Sequence, residues 1–539
     1  MTEQTPPPGS ESAEPMSTLS RRNLMKYTAA AGALALGGGI LDACGSGSAA
    51  TTTTASNAGK PKRGGTLRVG LTGGGTNDTL DPNLTITIPA FAGLAMLYDT
   101  VLRFDNDMVT HPSLATEVTS NSDATVWTIR LRDGVTFHNG KDLTADDLAY
   151  TFHRIIKGKP PSLEGNLLPI DVTGMKKLDR LTLQVTTTQP WSMMKQVLPA
   201  DFNFPVVPVD FDPHHPVGTG PFKFASFTPG VQLSVTKNPD YWVTGLPYLD
   251  GIDISEYTDE TSQVNALLAN QEDAIGAISG SSLAALTSHS NLNTIISKTG
   301  GWNPICMRMD VAPFNDVRVR QALRLVIDRP EMLNIVFDGH GLVANDLFGI
   351  FDPVYDHSIP QRVQDIDQAK HLLKKAGQED LTVTLTTAAV AAGAVNQCQV
   401  FQEQAKAAGA TINLQTVQTS ELYGPNYLSW HFSVDTWGYA SYFPQARFSN
   451  IPPPILNECH FNDPAYTKLF LEAMKTVDPT KLTDLAHEMQ MIEYNSGGYI
   501  IPINYPIIDV VTDRVKGAEP SECGLSFNFF QQFKSMWFA

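Results

Sequence analysis

The sequence predicts an α/β protein of several domains with a mostly parallel sheet in its C-terminal half, and three observations carry that expectation. Strand-like and helix-like periods alternate from residue 367 to residue 437. Hydrophobic residues make up 42% of the chain against 17% charged, a globular balance that excludes wholesale disorder and a coiled-coil rod. The length of 539 residues, less a leader argued to end at residue 43, allows about three domains. The net charge of −17 argues against a nucleic-acid partner, because neutralising phosphates needs clustered cations.

The N-terminus reads as an export signal. Arg21-Arg22 is followed by Leu24 and Lys26 and then by an apolar run over 29–41 that holds four glycines. That run is too short for the roughly 20 residues of a membrane helix and suits a signal core. The paired arginines resemble a twin-arginine export signal, read by a translocase of folded cargo. Leu41-Asp42-Ala43-Cys44 resembles a lipobox, whose cysteine takes a lipid and becomes the new N-terminus, although Asp42 is an unusual residue there. Residues 44–63 are mostly Gly, Ser, Thr and Ala, a flexible tether with a root-mean-square span of about 25 Å. The expected location is the outer face of the cell membrane, extracytoplasmic and lipid-anchored.

The first half of the body mixes strands and hairpin turns, with strands expected over 66–71, 126–131, 181–187, 222–225 and 231–236. One helix is well marked: Thr144 and Asp147 form a capping-box variant, and Leu148, Phe152 and Ile155 share one face. Beyond it, a helix capped near Asp367 carries Ala369, Leu372 and Leu373 and stops at Gly377. A strand over 381–387, a helix over 397–408 ending at Gly409, a strand over 411–417, a short helix from Ser420 and a strand over 431–437 complete a βαβαβ run. In such sheets ligands sit off the carboxyl ends of strands, where Trp437-Gly438-Tyr439 falls. The uncharged stretch 381–402 is rich in Thr and Gln and reads as strand and helix, not as a membrane span.

Several stretches, in order, resemble the peptide/nickel family of extracellular solute-binding proteins that feed ABC importers. They are Gly64-Gly65-Thr66-Leu67-Arg68-Val69, Leu80-Asp81-Pro82, the run 127–140 from Trp127 to Gly140 with Leu143-Thr144-Ala145-Asp146-Asp147-Leu148, Val217-Gly218-Thr219-Gly220-Pro221-Phe222, Asn238-Pro239-Asp240-Tyr241-Trp242, and the run 313–323 from Pro313 to Leu323 with Asp328-Arg329. The resemblance implies a periplasmic-binding-protein type II fold, two lobes about a hinge plus an extra domain. Its expected division is 64–83 with 211–300 and 500–539 as lobe I, 84–210 as the extra domain and 301–499 as lobe II. Most signature residues read as architecture: Gly218 and Gly220 suit turns of unusual φ, and Asp316 suits the cap of a helix carrying Val319, Ala322 and Leu323.

The same resemblance places ligand contacts at Thr76, Asn77 and Asp78, in the loop before Leu80-Asp81-Pro82, and at Thr436, Trp437, Gly438 and Tyr439. Both offer backbone to an extended peptide, which is strand addition. Gly73-Gly74-Gly75 suits close backbone approach or, equally, a flexible surface loop, and lacks the GK[ST] of a P-loop. In peptide-binding members an aspartate three residues after this tryptophan pairs with the ligand's α-ammonium; here Ala440 stands in its place. Loss of a charge-assisted bond of roughly 1.5–3 kcal/mol weakens a free amine by about 10 to 150-fold. Asp435 either compensates or belongs to a buried network. Tyr439, Tyr442 and Phe443 either pack in a core or suit a modified peptide, a sugar-like ring or a blocked N-terminus.

No cofactor or metal is expected. The twelve histidines have no ligand spacing, His214-His215 lies between prolines, and His487-Glu488 lacks a zincin's second histidine. No GxSxG elbow occurs. Besides Cys44 there are Cys306, Cys398, Cys459 and Cys523, which allow three pairings into two disulfides, or one, or none. The expectation is a monomeric, non-enzymatic binding protein whose partners are a peptide or small-molecule ligand, an ABC permease with its ATPase, and the membrane through the lipid. The alternatives are an exported enzyme, for which no dinucleotide, haem or cluster motif is present, and a sensory lipoprotein of the same fold.

Overall fold

The computed structural model describes residues 59–158, 165, 167–199, 204–438, 441–452 and 456–539. Arg21, Arg22 and Cys44 lie outside the described residues, as do Tyr439 and Ala440. Three sheets carry the architecture. In the largest, of eight strands, Thr66–Thr72 runs parallel to Gly251–Tyr257 on one side and to Ala274–Ile275 on the other. Its alternation sends Leu67, Val69 and Leu71 into one core with Ile252, Ile254 and Leu233. The strands Leu292–Trp302 and Ile503–Thr512 close one edge and the hairpin Phe222–Thr228 with Gln232–Lys237 the other.

A four-stranded antiparallel sheet is ordered Ala115–Ser120, Val126–Leu131, Thr182–Thr187, Ile170–Lys177. The helix Ala145–Lys157 lays Leu148, Phe152 and Ile155 into the same core as Trp127, Ile129 and Leu183. At its start, the Thr144 N–H and hydroxyl both donate to the Asp147 carboxylate, at 3.0 and 2.8 Å. That carboxylate is fully buried and also meets Lys141, so the cap ties the helix to its surroundings as well as closing its first turn.

The third sheet orders its five strands Thr411–Thr416, Thr382–Thr387, Phe432–Val434, Ile305–Met307, Tyr499–Ile500. Thr382–Thr387 is parallel to both its neighbours and only Ile305–Met307 runs against the rest. The fold is therefore a multi-domain α/β protein of the periplasmic-binding-protein type II class. No helix of the described residues is long and apolar enough to cross a membrane.

The chain passes directly from the eight-stranded to the five-stranded sheet between Trp302 and Ile305, and directly back between Ile500 and Ile503; between these, Leu342–Val343 also returns to pair with Ile503–Thr512 of the eight-stranded sheet. Each crossing is two residues, Asn303-Pro304 and Ile501-Pro502, and each proline holds its predecessor extended. The second crossing is clamped by Asp346, which accepts from the Ile501 N–H at 2.9 Å and donates its own N–H to the Ile501 carbonyl at 3.1 Å. The Asp346 carboxylate also takes Arg329 and Arg362 at 2.8 Å, all three groups nearly out of water. The Asp328-Arg329 motif thus does two jobs, because Asp328 caps the helix Arg329–Phe337 by accepting from the Glu331 N–H.

Several local expectations shift. The helix expected to be capped near Asp367 is Ile366–Lys375, capped by Asp365 through the Gln368 N–H. The helix expected from Gln397 begins at Ala394 and passes through a 3-10 turn to Gly409, which closes it at φ +85°. The strand expected over 431–437 is Phe432–Val434 alone. Gly218 and Gly220 do not have positive φ; they are glycine because a Cβ there would fall 1.9 Å and 2.7 Å from the Leu97 carbonyl oxygen. Asp316 does cap Val317–Leu325, accepting from the Arg318 N–H at 2.9 Å.

Candidate functional site

Two loops leave carboxyl ends of strands, one on each large sheet, and together they hold the described candidate contacts apart from Tyr442, which opens the helix Tyr442–Ser449 just beyond the second loop. The first, 73–78, follows Thr66–Thr72. Gly73 stands at φ +90°, and a Cβ on Gly74 would fall 1.8 Å from Glu256 Oε2, so the glycine run is a close approach to the end of the neighbouring strand. Thr76 and Asn77 are exposed at the turn. Asp78 is not: it is buried, accepts from the Thr87 hydroxyl at 2.9 Å, and lies beside the Glu256 carboxyl. Both carboxyls are raised by burial, and Glu256, next to the Asp78 charge, is pushed up to about 8. At neutral pH Glu256 therefore keeps its proton. Asp78 thus turns inward as one of a carboxyl pair whose partner comes from a strand far along the chain.

The second loop follows Phe432–Val434. Asp435 is buried and accepts from the Tyr423 hydroxyl at 2.7 Å, the Tyr427 hydroxyl at 2.9 Å and the Thr436 N–H at 2.7 Å. Of the two readings of Asp435, the network is what the side chain does. Trp437 exchanges both backbone groups with Trp302 at 2.9 Å, and its carbonyl also takes the Tyr505 hydroxyl at 3.0 Å. Its backbone thus faces the hinge strand, not an open edge. Gly438 is exposed, with nothing within 4 Å of a Cβ placed on it.

Trp302 was not foreseen, yet it organises this region. It pairs with Asn504 across the eight-stranded sheet and with Trp437 on the other side. Its ring stacks between Phe348 at 5.8 Å and Trp437 at 6.1 Å, with Tyr499 edge-on at 5.3 Å. Gly301 allows this, since a Cβ there would fall 2.3 Å from the Tyr505 ring. The only sequence signal was the glycine pair before Trp302-Asn303-Pro304. Glu458, also missed, accepts from the Trp437 indole N–H at 3.0 Å and from the Tyr499 hydroxyl.

Tyr442 extends the stack, its ring 5.3 Å from Phe348, but has no exposed surface. Its hydroxyl faces Tyr466, which donates to Glu493, a carboxyl that burial pushes up to about 8. In this structure Tyr442 is a fully buried ring. A surface depression of about 670 Å³, bordered by Asn462, Lys468, Leu471 and Lys475, shares no residue with either loop.

Among the described residues no group of His, Cys, Asp and Glu is placed to hold a metal. The geometry is that of two lobes presenting strand-end loops, with a short double crossing between their sheets.

Comparison with known proteins agrees. The glutathione-binding protein GsiB of Escherichia coli O6:K15:H31 is 24% identical over 444 residues, 78% of this chain and 86% of the relative. The binding protein AgaA of A. tumefaciens R10, solved with agropinic acid, superposes with a TM-score of 0.73 at 23% identity over 88% of this chain and 99% of its own. The oligopeptide-binding protein AppA of Bacillus subtilis, solved with a nonapeptide, gives 0.72 at 21% identity over 89% and 100%. These likenesses establish the fold. The sequence profile of the bacterial extracellular solute-binding proteins, family 5, matches residues 109–452, well over half of the chain, and the protein belongs to that family.

Proposed function

We propose that this protein is the lipid-anchored binding component of an ABC importer, capturing an oligopeptide or peptide-like solute between its lobes and delivering it to the membrane permease. The single observation that carries the reading is family membership combined with strand-end loops on both large sheets. Arg21 and Arg22 direct export, Cys44 takes the lipid, and 44–63 is the tether. The body divides into lobe I (64–83, 211–300, 500–539), an extra domain (84–210) and lobe II (301–499), and works as a monomer without covalent chemistry. The relatives named are binding proteins, which supports a non-enzymatic role.

The solute lies against Thr76 and Asn77 on one side and Thr436, Gly438 and Tyr439 on the other, with Trp437 holding the second loop to the hinge. Ala440, where an acid would meet an α-ammonium, points to a peptide with a blocked or displaced amine. The ligands in the relatives' names, glutathione, agropinic acid and a nonapeptide, support a peptide-like class and leave its member open.

The test is thermal shift on a form beginning after Cys44 against free-amine peptides, N-blocked peptides, glutathione, oligosaccharides and nickel. A specific ligand at 100 times its Kd adds about 2.7 kcal/mol. Stabilisation by blocked peptides and not by their free-amine counterparts is the expected result. Preference for free amines would overturn the role given to Ala440, and silence across the panel would favour a sensory lipoprotein.

A further inference from the structure

The four described cysteines are buried thiols, and three pairings were open from the sequence. Their places in the fold bring together one pair, Cys306 with Cys459, and keep Cys398 and Cys523 in separate cores. Cys306 sits on Ile305–Met307, paired with Tyr499, and the next residue, Met307, takes the Gly498 carbonyl at 2.9 Å. Cys459 packs against that same position: a Cβ on Gly498 would lie 2.5 Å from Cys459 Cβ and 2.9 Å from its sulfur. The Cys459 carbonyl is held by the Met309 N–H at 2.8 Å. Both cysteines are 1% exposed and belong to one core. After burial itself, the Cys459 thiol is the neighbour that holds the Cys306 thiol above its ordinary range. Cys398 belongs to the core of the five-stranded sheet and Cys523 to a separate cluster with Phe104, Met108 and Phe529.

We propose that Cys306 and Cys459 form a disulfide once the chain is outside the cytoplasm, tying the first strand after the hinge to the loop that carries Glu458. Two S–H bonds break and one S–S bond forms. The two protons and two electrons pass to a disulfide oxidant, either a thiol oxidoreductase that becomes a dithiol or a small-molecule disulfide that becomes two thiols. Disulfides persist in oxidising compartments, and the extracellular family of this protein places it in one. Since the thiolate is the reacting species, burial holds the Cys306 thiol well above its ordinary range, and the twin-arginine route proposed above delivers the chain already folded, exchange takes place after export in local openings of this core and stops once it recloses. The bond fixes Cys459 and with it Glu458, the acceptor for the Trp437 indole at 3.0 Å. It therefore steadies the second ligand loop from behind.

The inference rests on the extracytoplasmic part of the proposed function, and the experiment separates the two. The full chain is recovered from the cell surface, denatured in an alkylating agent without reductant, digested and weighed. The expected result is a peptide of Cys306 joined to one of Cys459, with Cys398 and Cys523 alkylated. Alkylation of Cys306 and Cys459 before reduction, or a bridge to another cysteine, would overturn the inference. If the chain is found only inside the cell, the functional reading fails, and refolding the purified chain with oxidised glutathione then tests the pairing by itself under the same mass criterion. A second measurement guards against variants that do not fold: reductant is expected to lower the thermal midpoint of the parent by several degrees, and to leave Cys459→Ala, already lower, unmoved. An equal midpoint for the parent with and without reductant would overturn the bond.

Discussion

Each candidate loop carries a buried aspartate one or a few residues past the end of its strand, and the two are treated in opposite ways. Asp435 receives two tyrosyl hydroxyls and a backbone N–H. Asp78 receives the Thr87 hydroxyl and the Gly75 N–H and shares its remaining need with a second carboxyl, that of Glu256. Burial costs both aspartates their hydration, so the donors supplied in return decide the outcome. The loop on the five-stranded sheet is held by satisfied hydrogen bonds. The loop on the eight-stranded sheet is held by a proton that Glu256 retains, and so it depends on pH.

The largest effect that would break this contrast is Asp435→Ala. It leaves Tyr423 and Tyr427 without their acceptor, at about 1–3 kcal/mol for each buried group. Urea unfolding should show a loss of about 2–5 kcal/mol, and a loss below 1 would remove Asp435 from its structural role. Gly74→Ala comes next: its Cβ would meet the Glu256 carboxyl, the far end of a half-buried side chain that has to move aside, at a cost of about 1 kcal/mol, the low end for overpacking. Ligand affinity should fall with it, measured by calorimetry, because Thr76 and Asn77 ride on the same turn.

Glu256→Gln sharpens the contrast through pH. The Glu256 carboxyl is raised from its ordinary 4.5 to about 8, so its favourable contribution is complete below the lower value and is lost as pH rises through the higher. Glu256 should contribute a loss of stability between about pH 5 and 8 of less than the ~1.4 kcal/mol per pH unit of one fully coupled proton, since it is only partly shielded from water, and Glu493, also pushed up to about 8, adds its own share to parent and variant alike. Glutamine keeps a donor for Asp78 and cannot ionise, so the variant should flatten that slope and be the more stable protein at pH 8. Identical slopes would mean that the pair does not share its proton. The last and no larger effect is Tyr427→Phe, about 1 kcal/mol, since Tyr423 and the Thr436 N–H still hold Asp435.

What the sequence made legible follows the range of the interactions involved. The alternation over 381–437 produced the parallel strands because period two and period 3.6 are local properties of the chain. Thr144 with Asp147, and Asp316, were readable as caps because donor and acceptor lie within three residues. The burial of Asp78 beside Glu256 was not legible, because Glu256 lies far along the chain and nothing near Asp78 announces it. Gly218 and Gly220 were assigned a turn geometry when the real constraint is the Leu97 backbone, a tertiary neighbour. Tyr442 offered an aromatic ring in either role, and its burial was not legible either. Trp302 escaped notice because its importance lies in pairing with two strands at once. The cap two residues before Asp367 shows the ordinary uncertainty of boundaries where acidic residues repeat.

The paired crossings at Asn303-Pro304 and Ile501-Pro502 set the allowed motion. A connector gains at most about 3.5 Å of reach per residue, so two such short straps leave the sheets almost no freedom to slide apart or translate. What remains is rotation close to the straps, where Leu342–Val343 and the Trp302–Trp437 backbone pair also tie the sheets together. On the proposed function, capture and delivery of a solute would then differ by a swing of one sheet against the other and not by a slide.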